Sequence, residues 1–163
     1  MGDGRYDVAS ICLNGHLITD SARSHSIFST TDCRTCGAPT TTRCDSCGCD
    51  IRGCYYAPGA YSFPQCPQVP SFCHNCGKPY PWTESRLQAA KDLARELDGL
   101  TREDIALLER SVDEMVRDTP QANVAALRFK RIVVKTGKVG TDLFKDILVG
   151  VVSETVRKTV WGP

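Results

Sequence analysis

Three stretches of the chain share one pattern: CRTCG at 33–37, CDSCG at 44–48 and CHNCG at 73–77. Each is a C-x-x-C pair followed by glycine. Two intervening residues let both sulfurs turn toward one point. The glycine permits a left-handed backbone, which aims amide N–H groups at those sulfurs. This is the zinc-knuckle form. A fourth pair, Cys12 and His16 in ICLNGH, brackets an Asn-Gly turn that Gly15 relaxes. Together the four pairs supply Cys12, His16, Cys33, Cys36, Cys44, Cys47, Cys73 and Cys76. Eight donors suffice for two tetrahedral ions.

Pairing in chain order gives a Cys₃His site (Cys12, His16, Cys33, Cys36) and a Cys₄ site (Cys44, Cys47, Cys73, Cys76). Each site then closes one loop and folds locally, so this order is the expectation. The rival is a cross-brace in which the pairs interleave. Zinc is the expected cofactor, as two structural ions. His16 among the thiolates and the lack of a clustered ferredoxin run argue against iron–sulfur. No thioredoxin-like βαβ pattern accompanies the C-x-x-C units, which argues against a redox role. Four protein donors per ion leave no position for an activated water, so the ions are expected to be staples rather than catalysts.

Three cysteines remain. Cys49, Cys54 and Cys66 are spaced irregularly and are read as small buried residues, not as a third site with His25. Cys49 is close enough to Cys47 to compete with Cys44 as a ligand. His74 lies inside a knuckle, where side chains usually point outward, and is left off the ligand set.

The elements that must hold these donors divide the chain. All ten cysteines fall between Cys12 and Cys76. Residues 1–82 are rich in Cys, Gly, Pro, Ser and Thr. Such a segment buries too little apolar surface to offset chain entropy unaided. It reads as a metal-stapled, β-rich tandem zinc-ribbon module. The aromatics between the ribbons, Tyr55, Tyr56, Tyr61, Phe63 and Phe72, are read first as its mini-core and second as a docking or base-stacking surface. KPYPWTE at 78–84 reads as a stiff extended connector.

Residues 83–163 read as an all-α bundle of three to four helices. The first is capped by Thr83, runs through Leu87, Ala90 and Leu97, and ends at Gly99. The second opens at Thr101 with Asp104 three residues on, a near relative of the capping box. Ile105, Leu108, Val112, Met115 and Val116 form its apolar stripe. Pro120 starts a third helix that reaches about Lys135. The fourth starts near Thr141 and continues through Val152, Val156 and Val160. These stripes are read as core packing.

The chain carries a formal charge of +1, with 41% hydrophobic and 24% charged residues, which is ordinary for a soluble globular protein. The start of the chain has neither the basic nor the apolar region of a secretory signal. ILVGVV is far shorter than the roughly 20 apolar residues a membrane span needs. The expected location is the cytoplasm, where thiols stay reduced and clustered thiols favour metal. Charge is uneven along the bundle: residues 83–118 are net acidic, and residues 119–163 hold eight basic and three acidic residues. The basic residues Arg128, Lys130, Arg131, Lys135 and Lys138 complement the acidic helices. Nucleic-acid binding is the sharper alternative.

YDVASICLNGH at 6–16, the CRTCG and CDSCG knuckles, IRG at 51–53 and PSFCHNCGKPYPWTE at 70–84 resemble a bacterial family of uncharacterised proteins, domain of unknown function 2321. The resemblance implies a double zinc ribbon with ligands on the same eight residues, and brings no known activity. Taken together, the first expectation is a non-enzymatic interaction or adaptor protein, with a protein partner and a bundle that docks or forms a homo-oligomer. A nucleic-acid-binding ribbon protein comes second. A zinc-dependent enzyme comes third, since no nucleophile–base pair or phosphate-cradling loop is readable.

Overall fold

A computed structural model describes residues 4–56 and 68–163. Tyr61, Phe63 and Cys66 lie outside the described residues. The chain divides into two compact units, residues 1–83 and 84–163.

The first unit is built from short strands. β1 (Arg5–Val8) pairs antiparallel with β5 (Arg52–Tyr56). β2 (Ser10–Cys12) pairs antiparallel with both β3 (Leu17–Thr19) and β4 (Thr40–Thr41). Each knuckle forms a miniature hairpin closed by a single bridge: Asp32 with Pro39, Arg43 with Asp50, and Phe72 with Pro79. Strands this short bury little. The core is a small cluster of Ala9, Ile11, Cys44, Ile51, Cys73, Tyr80 and Trp82. Tyr80 and Trp82 stack with centroids 4.6 Å apart.

This core corrects two expectations. Tyr55 and Tyr56 are not in it; both are more than half exposed on β5. Their side chains sit on a two-stranded ribbon, where Tyr55 meets only the half-exposed Tyr6 ring among the described aromatic rings, at 4.9 Å, whereas Tyr80 and Trp82 follow the last knuckle and join Ile11 of β2 in the core. Nor is KPYPWTE an extended connector. Helix α1 (Pro81–Glu96) begins inside it, with proline in its first turn, a position where the missing N–H costs nothing. Thr83 therefore does not cap the helix from outside. Its hydroxyl donates to the Ser71 carbonyl at 2.8 Å, and the Trp82 indole donates to Pro70 at 2.8 Å. These bonds tie the first turn of α1 to the strand entering the third knuckle.

The second unit holds the rest of α1, then α2 (Arg102–Met115), α3 (Pro120–Val133), α4 (Gly137–Leu148) and α5 (Glu154–Trp161). The capping box forms as expected: the Thr101 hydroxyl accepts from the Asp104 amide, and the Asp104 carboxylate accepts from the Thr101 amide. The third helix ends at Val133 and tightens into a 3-10 turn over Val134–Thr136. The single fourth helix expected through Val160 is two helices, giving five among the described residues. The chain breaks after Leu148, and the Ser153 hydroxyl accepts from the Val156 amide to start α5. The apolar period runs on through Val151 and Val156, both buried, and that continuity hides the break.

Phe129 of α3 is the centre of this core. Phe144 meets it edge-on at 5.4 Å, and Trp161 at 6.2 Å. Leu108, Val112, Ala125, Ala126, Leu148 and Val156 complete the interior. The charge complementarity read from the sequence appears as ion pairs between α2 and the basic segment, Glu114 with Arg128 and Asp104 with Lys135. No helix among the described residues is long and apolar enough to cross a membrane.

Candidate metal centres

The three knuckles share one backbone geometry. The N–H of the first cysteine donates to the carbonyl five residues on: Cys33 to Ala38, Cys44 to Cys49, Cys73 to Lys78. The glycine N–H donates back to the first cysteine, at 2.7, 2.8 and 2.9 Å in Gly37, Gly48 and Gly77. Those glycines have φ of 71°, 70° and 70°, a region costly for residues with a Cβ. This explains why each pair carries its glycine.

The Cys12–His16 pair reaches a similar result from a hairpin. The Cys12 amide donates to the His16 carbonyl, the Gly15 amide donates to the Cys12 carbonyl, and Gly15 has φ 84°. The His16 amide also points at the Cys12 sulfur, 3.2 Å away.

The donors gather in chain order, not interleaved. Cys12, His16, Cys33 and Cys36 form one group and Cys44, Cys47, Cys73 and Cys76 the other, with all donor atoms of a group within 4.8 Å of one another. In the first group Cys12 and Cys36 sulfurs are 3.8 Å apart, and His16 Nδ1 lies 3.4 Å from Cys12 and 3.6 Å from Cys33. In the second, Cys44–Cys76 and Cys47–Cys73 are 3.8 and 3.7 Å.

A tetrahedral ion with Zn–S of about 2.3 Å places its sulfurs about 3.8 Å apart, and a nitrogen ligand shortens that edge to about 3.6 Å. The sulfurs are too far apart for disulfides, which need about 2.05 Å. The cavity at each centre therefore fits a tetrahedral ion of zinc size, and its donors are the soft thiolates and imidazole that such an ion takes.

Amide donors prepare the thiolates. Burial pushes the Cys33 thiol up, but the amides of Thr35 and Cys36 and the thiols of Cys36 and Cys12 more than offset it, and it falls to about 6. Cys73 behaves alike: burial raises it, and the amides of Cys76 and Asn75 with the thiols of Cys47 and Cys44 bring it to about 6. Tyr80 adds a neighbour to the second centre. Burial first, then its hydrogen bond to Cys73, raises its phenol above the ordinary value.

The remaining donors are placed elsewhere. Cys44, not Cys49, joins the second group. Cys49 contributes its backbone, whose amide lowers Cys47, while its sulfur lies 3.5 Å from His74 Nε2. Buried Cys54 donates to the Asp20 carboxylate at 2.8 Å. His25 is exposed beside Phe28. Among the described residues, these side chains form no third group. The Cys49–His74 contact was not read from the sequence. It joins residues 25 apart in the chain and depends on their two knuckles being brought together at the second centre.

Gly15 also matters for packing. A Cβ there would sit 3.0 Å from the Trp82 Cβ, whereas one at Gly37 would meet open space. Gly15→Ala is expected to destabilise the first centre by roughly 2 kcal/mol or more, from backbone strain plus overpacking. Gly37→Ala suffers the strain alone, about 1–2 kcal/mol. Competition with a chromophoric zinc chelator measures both. Equal effects would show that Trp82 does not press on this turn.

The sequence model of one bacterial family, described as an uncharacterised protein conserved in bacteria (domain of unknown function 2321), matches residues 5–160. No curated protein and no solved structure matches the chain.

Proposed function

We propose a structural role for two zinc ions in this chain, which belongs to the bacterial family domain of unknown function 2321, and a non-enzymatic role for the whole protein as an interaction module. The observation that carries the reading is the closure of both donor groups. Each offers four protein donors at the edge lengths of a single tetrahedron. Such an ion has no place for substrate or water, and a thiolate-rich shell suits structural zinc. The ions would take the place of the core that the first unit lacks. The chain would then serve by presenting surfaces to a protein partner.

Native mass spectrometry with zinc-edge X-ray absorption tests the metal part directly. The expected result is two zinc ions per chain, with seven sulfurs and one nitrogen shared between them and no oxygen in the first shell. An oxygen ligand on either ion, or iron in place of zinc, would overturn the structural role. The same spectra give the subunit number.

A further inference from the structure

We infer that the outer face of α3 is a docking seam for an acidic amphipathic helix of another protein. α3 buries Ala122, Ala125, Ala126, Phe129, Ile132 and Val133. Directly opposite lies a row at spacings of three and four: Val124, Leu127, Arg131 and Val134. The aliphatic members are 58%, 51% and 65% exposed. Isolated exposed aliphatics need no explanation, but a row opposite the core does. In heptad letters these four are a, d, a and d, the positions that meet a partner helix, and Phe129 is f. Val134 keeps helical backbone angles in the turn that follows α3, so the row is continuous.

Charge selects the occupant. The e positions are Gln121, Arg128 and Lys135, and the g positions Asn123 and Lys130. No acidic residue occurs between Asp118 and Asp142. Arg128 and Lys135 already pair with Glu114 and Asp104. Among the described residues Lys130 reaches the Thr159 carbonyl and no carboxylate. Among the described residues Arg131 and Lys138 have no ion pair. A second copy of α3 would set Arg131 and Lys130 against their own kind, and like charges at these positions oppose pairing. A partner with glutamate at e and g neutralises them, and Arg131 at an a position requires a carboxylate opposite. Nucleic acid fits less well, because phosphates would face a central aliphatic row.

The test uses two synthetic helical peptides of about three heptads, both with leucine at a and d. One carries glutamate at e and g, the other lysine. Binding to the full zinc-loaded chain is followed by fluorescence anisotropy. The glutamate peptide is expected to bind at least about tenfold tighter than the lysine peptide, and Leu127→Asp to weaken it about tenfold. Arg131→Glu is expected to shift the preference toward lysine. Both side chains are exposed, and circular dichroism checks that the variants fold.

Equal binding of the two peptides, or binding indifferent to Leu127→Asp, would overturn the seam. So would a mixed-sequence oligonucleotide that binds at low salt, is lost in Arg131→Glu, and leaves the glutamate peptide unbound. Self-association that Leu127→Asp abolishes would assign the face to a second copy instead.

Discussion

Stripping both ions from the chain is expected to unfold the described part of the first unit, residues 5–56 and 68–83, and to leave α2 to α5 folded. Among the described residues the first unit's buried apolar cluster has seven members, and two of them, Cys44 and Cys73, are themselves donors. Its strands run two to five residues. Structural zinc contributes about 10–16 kcal/mol of apparent binding free energy per site. A whole domain is stable by only about 5–15 kcal/mol. With zinc bound as proposed, loss of either ion would therefore outweigh the small apolar cluster that holds the unit.

The second unit has an interior around Phe129 that contains none of the donors. With a strong chelator, helical circular dichroism should largely persist while amide protection in residues 5–56 and 68–83 disappears. Protection retained there, or helices melting with the metal, would refute the staple.

Acid should act in the same direction as the chelator. The folded-state values of Cys33 and Cys73, about 6, lie below the ordinary thiol value of 9.0. Those two thiols would add stability that is complete above the ordinary value and lost as pH falls through about 6. Their group-mates run the other way. Burial raises Cys12. The Lys78 amide lowers Cys76, but burial with the thiols of Cys47, Cys73 and Cys44 outweighs it and pushes Cys76 up to about 11. The net acid sensitivity therefore rests on the metal. Protons also compete with zinc for every thiolate. Zinc retention should thus weaken as pH drops from about 9 toward and below 6, most steeply at the acid end.

The clustering of these eight side chains into two groups was legible because the constraint is local. Two sulfurs on one ion need a fixed spacing, and the reversed backbone needs glycine at a fixed offset, so Cys33 to Gly37 is recognisable without the rest of the fold. The capping box at Thr101 and Asp104 was legible for the same reason. What was missed depends on distant contacts. Val151 and Val156 continue an apolar period across a break that only the Ser153 cap marks. Tyr55 and Tyr56 have the composition of a core, but among the described strands theirs pairs with β1 alone. Pro81 reads equally as a connector or as a helix start, and the bonds from Trp82 and Thr83 to Pro70 and Ser71 decide between them.

Replacing Trp82 with alanine is expected to cost about 3–5 kcal/mol and to speed release of both ions. Trp82 is 2% exposed. Its Cβ lies against Gly15 in the turn between Cys12 and His16, and its cluster includes Cys44 and Cys73 of the other centre. One side chain therefore supports both metal centres. Alanine would also end the stacking on Tyr80, worth about 0.5–1.5 kcal/mol, and leave the Pro70 carbonyl without its indole donor.

Trp82→Phe should fall between wild type and alanine, since it keeps a ring but not the N–H. Trp161→Phe is the control. Its indole N–H is buried with no partner among the described residues, so phenylalanine removes an unsatisfied donor, and the change should stay within about 1 kcal/mol. Stopped-flow release of zinc to a chromophoric chelator separates the cases. Trp82→Ala should accelerate both phases and Trp161→Phe neither. If Trp82→Ala accelerates only one phase, the two centres are held independently and the shared support is wrong.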